Sequence, residues 1–171
     1  MIDLRSKIRE VQDFPTPGVG FKDFTPLLAD PQALRETVDQ LATWVKEKEC
    51  DIVIGAEARG FILGAAIAAQ AGAGFVPARR PGKLPPETIS VTYALEYGQN
   101  SLELHPDLIP DGARVVIHDD VLATGGTVEG IMKLVEQLGG VVVGTCFIIE
   151  LTFLGGRERL AGLDLHALIS Y

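Results

Sequence analysis

Two adjacent carboxylates, Asp119 and Asp120, stand just ahead of a Thr124-Gly125-Gly126-Thr127 turn in the stretch VVIHDDVLATGGT that begins at Val115. These residue types at this spacing suit a ligand that carries both a phosphate and a sugar. Glycines let the backbone approach closely, and the threonines add hydroxyl donors. The free N–H groups at a helix start face an anion with the positive end of the helix dipole. Carboxylates accept hydrogen bonds from vicinal hydroxyls. Alternation along a strand aims the two acids in different directions, so they need not share one role. A Gly/Thr turn that merely caps a helix is the alternative. Two neighbouring carboxylates repel each other and ask for a partner, which favours a ligand. No Walker A pattern is present and no G-x-G-x-x-G opens a helix, so nucleoside-triphosphate and dinucleotide loops fit poorly.

Cations form the second group of interest. Arg59 lies in Glu57-Ala58-Arg59-Gly60-Phe61, at the start of an apolar helix where the dipole disfavours positive charge. A lone arginine in a loop is usually just solvated, but this awkward position favours an anionic partner. Arg79, Arg80 and Lys83 cluster among Pro81, Gly82, Pro85 and Pro86, directly after a short strand. That is the side on which open α/β sheets bind ligands. Phe14 and Phe21 are large rings in a Pro/Gly-rich segment that otherwise reads as a linker, and such a ring beside exposed backbone can stack on a flat ligand. His105, His118 and His166 are scattered without ligand spacing. His118 reads as a strand residue with a satisfied ring.

The elements that must carry these residues follow from periodicity. Val115 to Ile117 is β-branched and apolar, as a buried parallel strand should be. After the turn Ile131, Leu134, Val135 and Leu138 share one helix face, and Gly139 can cap it. Leu4, Ile8 and Val11 suggest a short amphipathic helix. Asp30-Pro31 starts a scaffold helix with Leu34, Val38, Leu41 and Val45 on one face. Ile52–Ile54, Gly74–Ala78 and Val141–Ile149 read as buried strands, and Leu163 to Ile169 as a last, partly covered one. Phe61 to Ala71 is apolar nearly all round and is expected to be buried. Leu84 to Leu104 reads as an excursion of two β-ribbons, and excursions of this length are often lids.

The 171 residues suit a single domain with a substantial core, spanning 1–171. A net charge of −8 argues against general nucleic-acid binding. Cys50 and Cys146 each sit in or beside an apolar stretch and read as buried thiols. No long uncharged apolar run exists and the N-terminus is no signal peptide, so the expected setting is cytoplasmic, away from membranes.

Taken in order, these segments resemble the adenine phosphoribosyltransferases, within the type I phosphoribosyltransferases. The paired acids and following turn resemble the motif that binds phosphoribosyl pyrophosphate (PRPP). FPTPGVGFKDF resembles the base-binding hood, EARGF the pyrophosphate loop and RRPGKLP a second pyrophosphate-contacting segment. YALEYG, containing Glu96 and Tyr97, resembles the catalytic loop. The resemblance covers almost the whole chain. Two departures are His118, where an aliphatic residue is commoner, and Arg80, where relatives commonly carry lysine.

The resemblance implies an α/β fold: a central, mostly parallel twisted sheet with helices on both faces, a small hood within 1–30 and a mobile catalytic loop within 79–104. It implies transfer of the phosphoribosyl group of PRPP to adenine, giving AMP and pyrophosphate, in purine salvage by a homodimer. Gly20, Phe21 and Lys22 would hold adenine, Phe21 by stacking and its neighbours through backbone. Asp119 and Asp120 would orient the ribose, and Ala123, Thr124, Gly125, Gly126 and Thr127 would anchor the 5′-phosphate. Glu57, Ala58, Arg59, Arg79, Arg80 and Lys83 would contact pyrophosphate. Arg59, Glu96 and Tyr97 are the implied catalytic set, Glu96 assisting proton transfer at the base and Tyr97 closing the site. Mg²⁺ would be held chiefly by substrate oxygens and waters, not by a protein cage.

Overall fold

A computed structural model describes residues 2–94 and 99–171. In chain order the strands and helices are β1 (Arg9–Val11), β2 (Phe21–Asp23), α1 (Thr25–Ala29), α2 (Pro31–Glu47), β3 (Ile52–Ala56), α3 (Gly60–Ala71), β4 (Gly74–Ala78), β5 (Ile89–Ala94), β6 (Gln99–Leu104), β7 (Arg114–Leu122), α4 (Gly126–Gln137), β8 (Val141–Glu150), α5 (Gly156–Arg159) and β9 (Leu165–Ser170). Strands β4-β3-β7-β8-β9 form one five-stranded sheet, and every pairing in it is parallel. The order reverses between β3 and β7, where ligands of open α/β sheets gather at the carboxyl ends of the strands.

The sheet is covered on both faces, as expected. Ile54, Val115, Ile117 and Phe147 pack with Ile131, Leu134 and Val135 of α4. Val53, Val116, Cys146 and Ile148 pack with Leu41 and Val45 of α2 and with Leu63 and Ile67 of α3. Truncating a fully buried residue such as Ile117 or Phe147 to alanine would cost about 2–5 kcal/mol, transfer and cavity together. The α2 start is capped as its sequence requires: Asp30 Oδ1 accepts from the Gln32 and Ala33 amides at 2.9 and 3.1 Å, with Pro31 at the first helical position. Both cysteines are free thiols, Cys146 buried and Cys50 half-buried.

Four expectations are corrected. Leu4 to Val11 is not one helix: a 3₁₀ turn over Leu4–Lys7, capped by Asp3, leads into β1. Val11 then pairs with Phe21 across the antiparallel β1–β2 hairpin, a long-range pairing that a local apolar spacing cannot reveal. Helix α3 is only half buried, because Ile62, Ala65, Ala66 and Ala69 face outward. Among its described residues the excursion contains a single antiparallel ribbon, β5–β6, with Ile89 opposite Leu104 and Tyr93 opposite Asn100. It is well packed, since Tyr93, Leu102 and Leu104 join the core against α4. Finally, the His118 ring is only half satisfied: Nδ1 lies 3.1 Å from the Cys146 carbonyl, while the buried Nε2 has no partner.

Candidate active site

Four strand ends converge above the sheet. β3 leads into Glu57-Ala58-Arg59, β4 into Arg79-Arg80, β7 through Asp119 and Asp120 into the Gly/Thr turn, and β8 ends at Glu150. The Glu57–Ala58 peptide is cis. Two adjoining hollows open here. One, of about 360 Å³, is lined by Glu57, Ala58, Arg59, Arg80, Asp119, Asp120 and Thr127 together with residues of the ribbon. The other, of about 90 Å³, is formed by Ala123, Thr124, Gly125, Gly126 and Thr127 over Leu122 and Phe147. Asp119 and Thr127 border both.

The small hollow is an anion cradle by construction. Gly125 adopts φ +80° and precedes α4 without a side chain to cap it, so the first amides of a twelve-residue helix are left for a ligand.

The two acids differ, as strand alternation suggests. Asp120 is buried, and Arg59 Nε lies 2.7 Å from its Oδ2, though off the line of a hydrogen bond. Asp119 borders both hollows, and its Oδ1 accepts from the Asp120 amide at 2.9 Å. Burial, and then the charge of Asp120 beside it, pushes the Asp119 carboxyl well above the usual carboxylate range. The close seat of α3 contributes to this. A Cβ on Gly60 would lie 2.9 Å from the His118 carbonyl oxygen and 3.2 Å from Asp119 Oδ1, so only glycine lets the helix start come this near the acids.

Arg59 answers the question raised by its position at the start of α3, because the nearby Asp120 supplies the negative charge. Its guanidinium carbon also lies 5.7 Å from the centre of the Phe21 ring, and Phe14 meets that ring edge-on at 5.2 Å. The hood is thus linked to the acid pair through one arginine. Lys22 turns its ammonium away to Glu10 Oε1 at 2.9 Å and to the Tyr171 ring at 4.3 Å. That leaves only its backbone, with that of Gly20, for any ligand beneath the hood.

The cation cluster divides. Arg80 lines the larger hollow, whereas Arg79 and Lys83 do not. Arg79 is tied down: its Nε donates to Glu57 Oε2 at 3.2 Å and its Nη1 to the Lys83 carbonyl at 3.2 Å. Glu57 Oε2 also accepts from the Arg80 amide at 2.8 Å. Burial opposes charge on Glu57, but the Arg80 amide and the Arg79 guanidinium prevail and hold its carboxyl below the usual range. Glu57 therefore orders the segment that presents Arg80.

Glu96 and Tyr97 lie outside the described residues. The sequence reading missed Tyr93, Asn100, Ser101 and Leu102, which line the larger hollow. The available signal was ribbon pairing, which sets Tyr93 opposite Asn100 and Thr92 opposite Ser101.

Comparison with known proteins agrees with this geometry. The phosphoribosyl transferase domain model matches residues 27–159. The chain is 54% identical over 170 residues to an adenine phosphoribosyltransferase of Methanococcus maripaludis, covering 99% of each chain. The crystal structure of adenine phosphoribosyltransferase from Thermoanaerobacter pseudethanolicus superposes with a TM-score of 0.95 at 50% identity, covering 99% of this chain and 98% of that one. The Giardia lamblia enzyme complexed with 9-deazaadenine superposes with a TM-score of 0.93 at 34% identity, covering 99% and 96%.

Proposed function

The chain belongs to the phosphoribosyl transferase family, among the adenine phosphoribosyltransferases, and we propose that it joins adenine to the phosphoribosyl group of PRPP, giving AMP and pyrophosphate for purine salvage. The observation that carries this reading is the pair of adjoining hollows with Asp119 and Thr127 on their shared border. A ribose 5-phosphate spans such a pair, its phosphate on the α4 amides and its ring hydroxyls beside the acids.

The chemistry follows from where charge moves. As the bond from ribose C1 to pyrophosphate breaks, C1 becomes oxocarbenium-like and negative charge grows on the leaving group. Arg59 and Arg80 stand ready for that anion, and fixed cations in a cleft stabilise developing charge without reorganising. Pyrophosphate would also draw Arg59 off Asp120, freeing that carboxylate for a ribose hydroxyl. Adenine would lie against Phe21, its edge read by the backbone of Gly20 and Lys22. It loses its N9 proton as the new bond to C1 forms, and Glu96 is the proposed acceptor, with Tyr97 helping to exclude water.

The donor set fits Mg²⁺ carried in with the substrate. Asp119 and Asp120 both border the larger hollow, and pyrophosphate oxygens and waters would supply most of the shell. Bound there, the ion would offset the charge of the leaving group. Arg79 and Lys83, close to Arg80 in the chain, would add positive potential near the cleft. The enzyme acts as a cytoplasmic homodimer in this reading. The uncharged outer face of α3, where Ile62 is 49% exposed, offers a surface for the second copy. The net charge of −8 disfavours nucleic acid as a partner, and among the described residues no helix is long and apolar enough to cross a membrane.

The test is a base panel. Purified protein with PRPP and Mg²⁺ is offered adenine, hypoxanthine, guanine and orotate, and products are separated by chromatography. AMP from adenine, well ahead of any other product, is expected. No nucleotide from any base, with PRPP binding confirmed by calorimetry, would indicate a PRPP sensor, and a different preferred base would overturn the choice of adenine.

A further inference from the structure

The 123–127 turn does not stand alone. Behind it runs the segment 155–160, which carries α5. A Cβ on Gly156 would lie 2.2 Å from the Ala123 carbonyl oxygen and 2.9 Å from Leu122 Cδ1. From the opposite side, a Cβ on Gly125 would lie 3.2 Å from both the Gly156 carbonyl oxygen and Leu160 Cγ. Two glycines therefore face each other across a contact with no room for a methyl group.

A helix of four residues cannot hold its own place. Two arginines pin this one. Arg157 donates from Nε and Nη2 to Oε1 and Oε2 of Glu150 at 2.8 and 2.6 Å, a two-pronged grip on a buried carboxylate at the end of β8. Arg159 Nε donates to Glu129 Oε2 at 2.9 Å. Glu129 lies in the first turn of α4, so its charge would repel a phosphate at that helix end, and Arg159 offsets it. One short element is thus fastened to the end of β8 on one side and to α4 on the other, with the phosphate turn clamped between. None of Gly156, Arg157 and Glu150 lines either hollow.

We propose that Gly156 and the Arg157–Glu150 pair are positioning residues that set the geometry of the 123–127 amides for the 5′-phosphate. The proposal rests on the reading of that turn as the phosphate site. Displacing the turn by the bulk of one methyl group should act on every ligand that carries the phosphate and spare adenine, which does not.

The test compares Gly156→Ala, Arg157→Met and Arg157→Lys with the parent protein, by steady-state kinetics in both substrates and by calorimetric titration with AMP. Gly156→Ala and Arg157→Met should raise KM for PRPP and weaken AMP by about tenfold or more, as misplacement of a bound group does, with KM for adenine little changed. Arg157→Lys should recover part of the loss, because lysine keeps the charge without the fork. Should Gly156→Ala fail to fold, the two Arg157 variants carry the test. A lowered melting temperature with unchanged KM for PRPP and unchanged AMP affinity would make the clamp purely structural and overturn the proposal. The double variant Thr124→Val/Thr127→Val separates the two ideas. If it weakens AMP while the clamp variants do not, the phosphate site stands and the clamp falls. If it too leaves AMP unchanged, the reading of the turn itself is wrong.

Discussion

Asp119 and Asp120 are neighbours in the chain with unlike surroundings, and their substitutions should separate accordingly. Asp120 is buried and faces Arg59 at 2.7 Å, while the Arg59 side chain is 48% exposed. Asp120→Asn should therefore lower stability by about 1–2 kcal/mol, less than for a wholly buried pair because water screens the arginine. Burial and the charge of Asp120 both disfavour ionisation of Asp119, so the neutral amide of Asp119→Asn suits that site and should not lower the melting temperature. It should still reduce kcat/KM by about tenfold or more, through lost positioning of the ribose. Thermal unfolding and steady-state kinetics of the two variants check this, and identical behaviour in both assays would refute the division of roles. The motif itself was legible because acids, glycines and threonines stand together in sequence. The Arg59–Asp120 contact was not, since it joins a loop to a strand far apart in the chain. The Glu150–Arg157 pair escaped notice for another reason: an acid at a strand end, with Gly-Gly-Arg after four intervening residues, looks like any solvated turn until burial is known.

Among the elements, the β5–β6 ribbon changes what lid closure can mean. A Pro/Gly-rich excursion with three cations at its base reads as loosely packed, yet Leu102 and Leu104 are fully buried and Tyr93 lies against Gly130 of α4. What the composition described was the segment 80–88 alone, where the prolines are concentrated and most residues are exposed. Hydrogen exchange should accordingly find the amides of Val91, Tyr93, Leu102 and Leu104 protected in the free protein, close to the level of the central sheet. Slowing on addition of PRPP and Mg²⁺ should fall mainly on 80–88, beside Arg80. Fast exchange along the whole ribbon in the free protein would show that its packing does not hold in solution. The strands of the sheet were easier to read, because a strand covered on both faces is a continuous apolar run. Short hood strands lack that signature, and α3 misleads in the other direction. Its sequence is apolar on every side, and its fold within one chain covers only half of it.

At the scale of the whole molecule, the parallel sheet decides where chemistry can occur: the residues lining the two hollows lie in the carboxyl-terminal half of a strand, follow its end, or belong to the ribbon folded over it. The same sheet encloses one ionisable group outside that chemistry. His118 sits between Gly55 of β3 and Cys146 of β8, and burial lowers its pKa from 6.5 to about 4. Between those values the unfolded chain binds a proton that the folded one does not, so stability rises with pH through this window and falls as pH is lowered from 6.5 toward 4. Below about pH 4 both states are protonated and the loss is complete, on the order of 3 kcal/mol for a shift of this size. Carboxylates titrate nearby and contribute their own slopes: Asp119, raised by burial, opposes this one, while Glu57 and Glu150, held low by their arginines, reinforce it. The difference between the parent protein and His118→Val isolates the histidine, because the carboxylates are common to both. Valine also removes the buried Nε2 that has no partner, so the variant should be at least as stable as the parent at pH 7. Urea unfolding at half-unit steps from pH 7 to 4 should show the two proteins diverging as acid is added, with the parent losing more. Parallel curves would mean that His118 is charged, or hydrated, inside the fold.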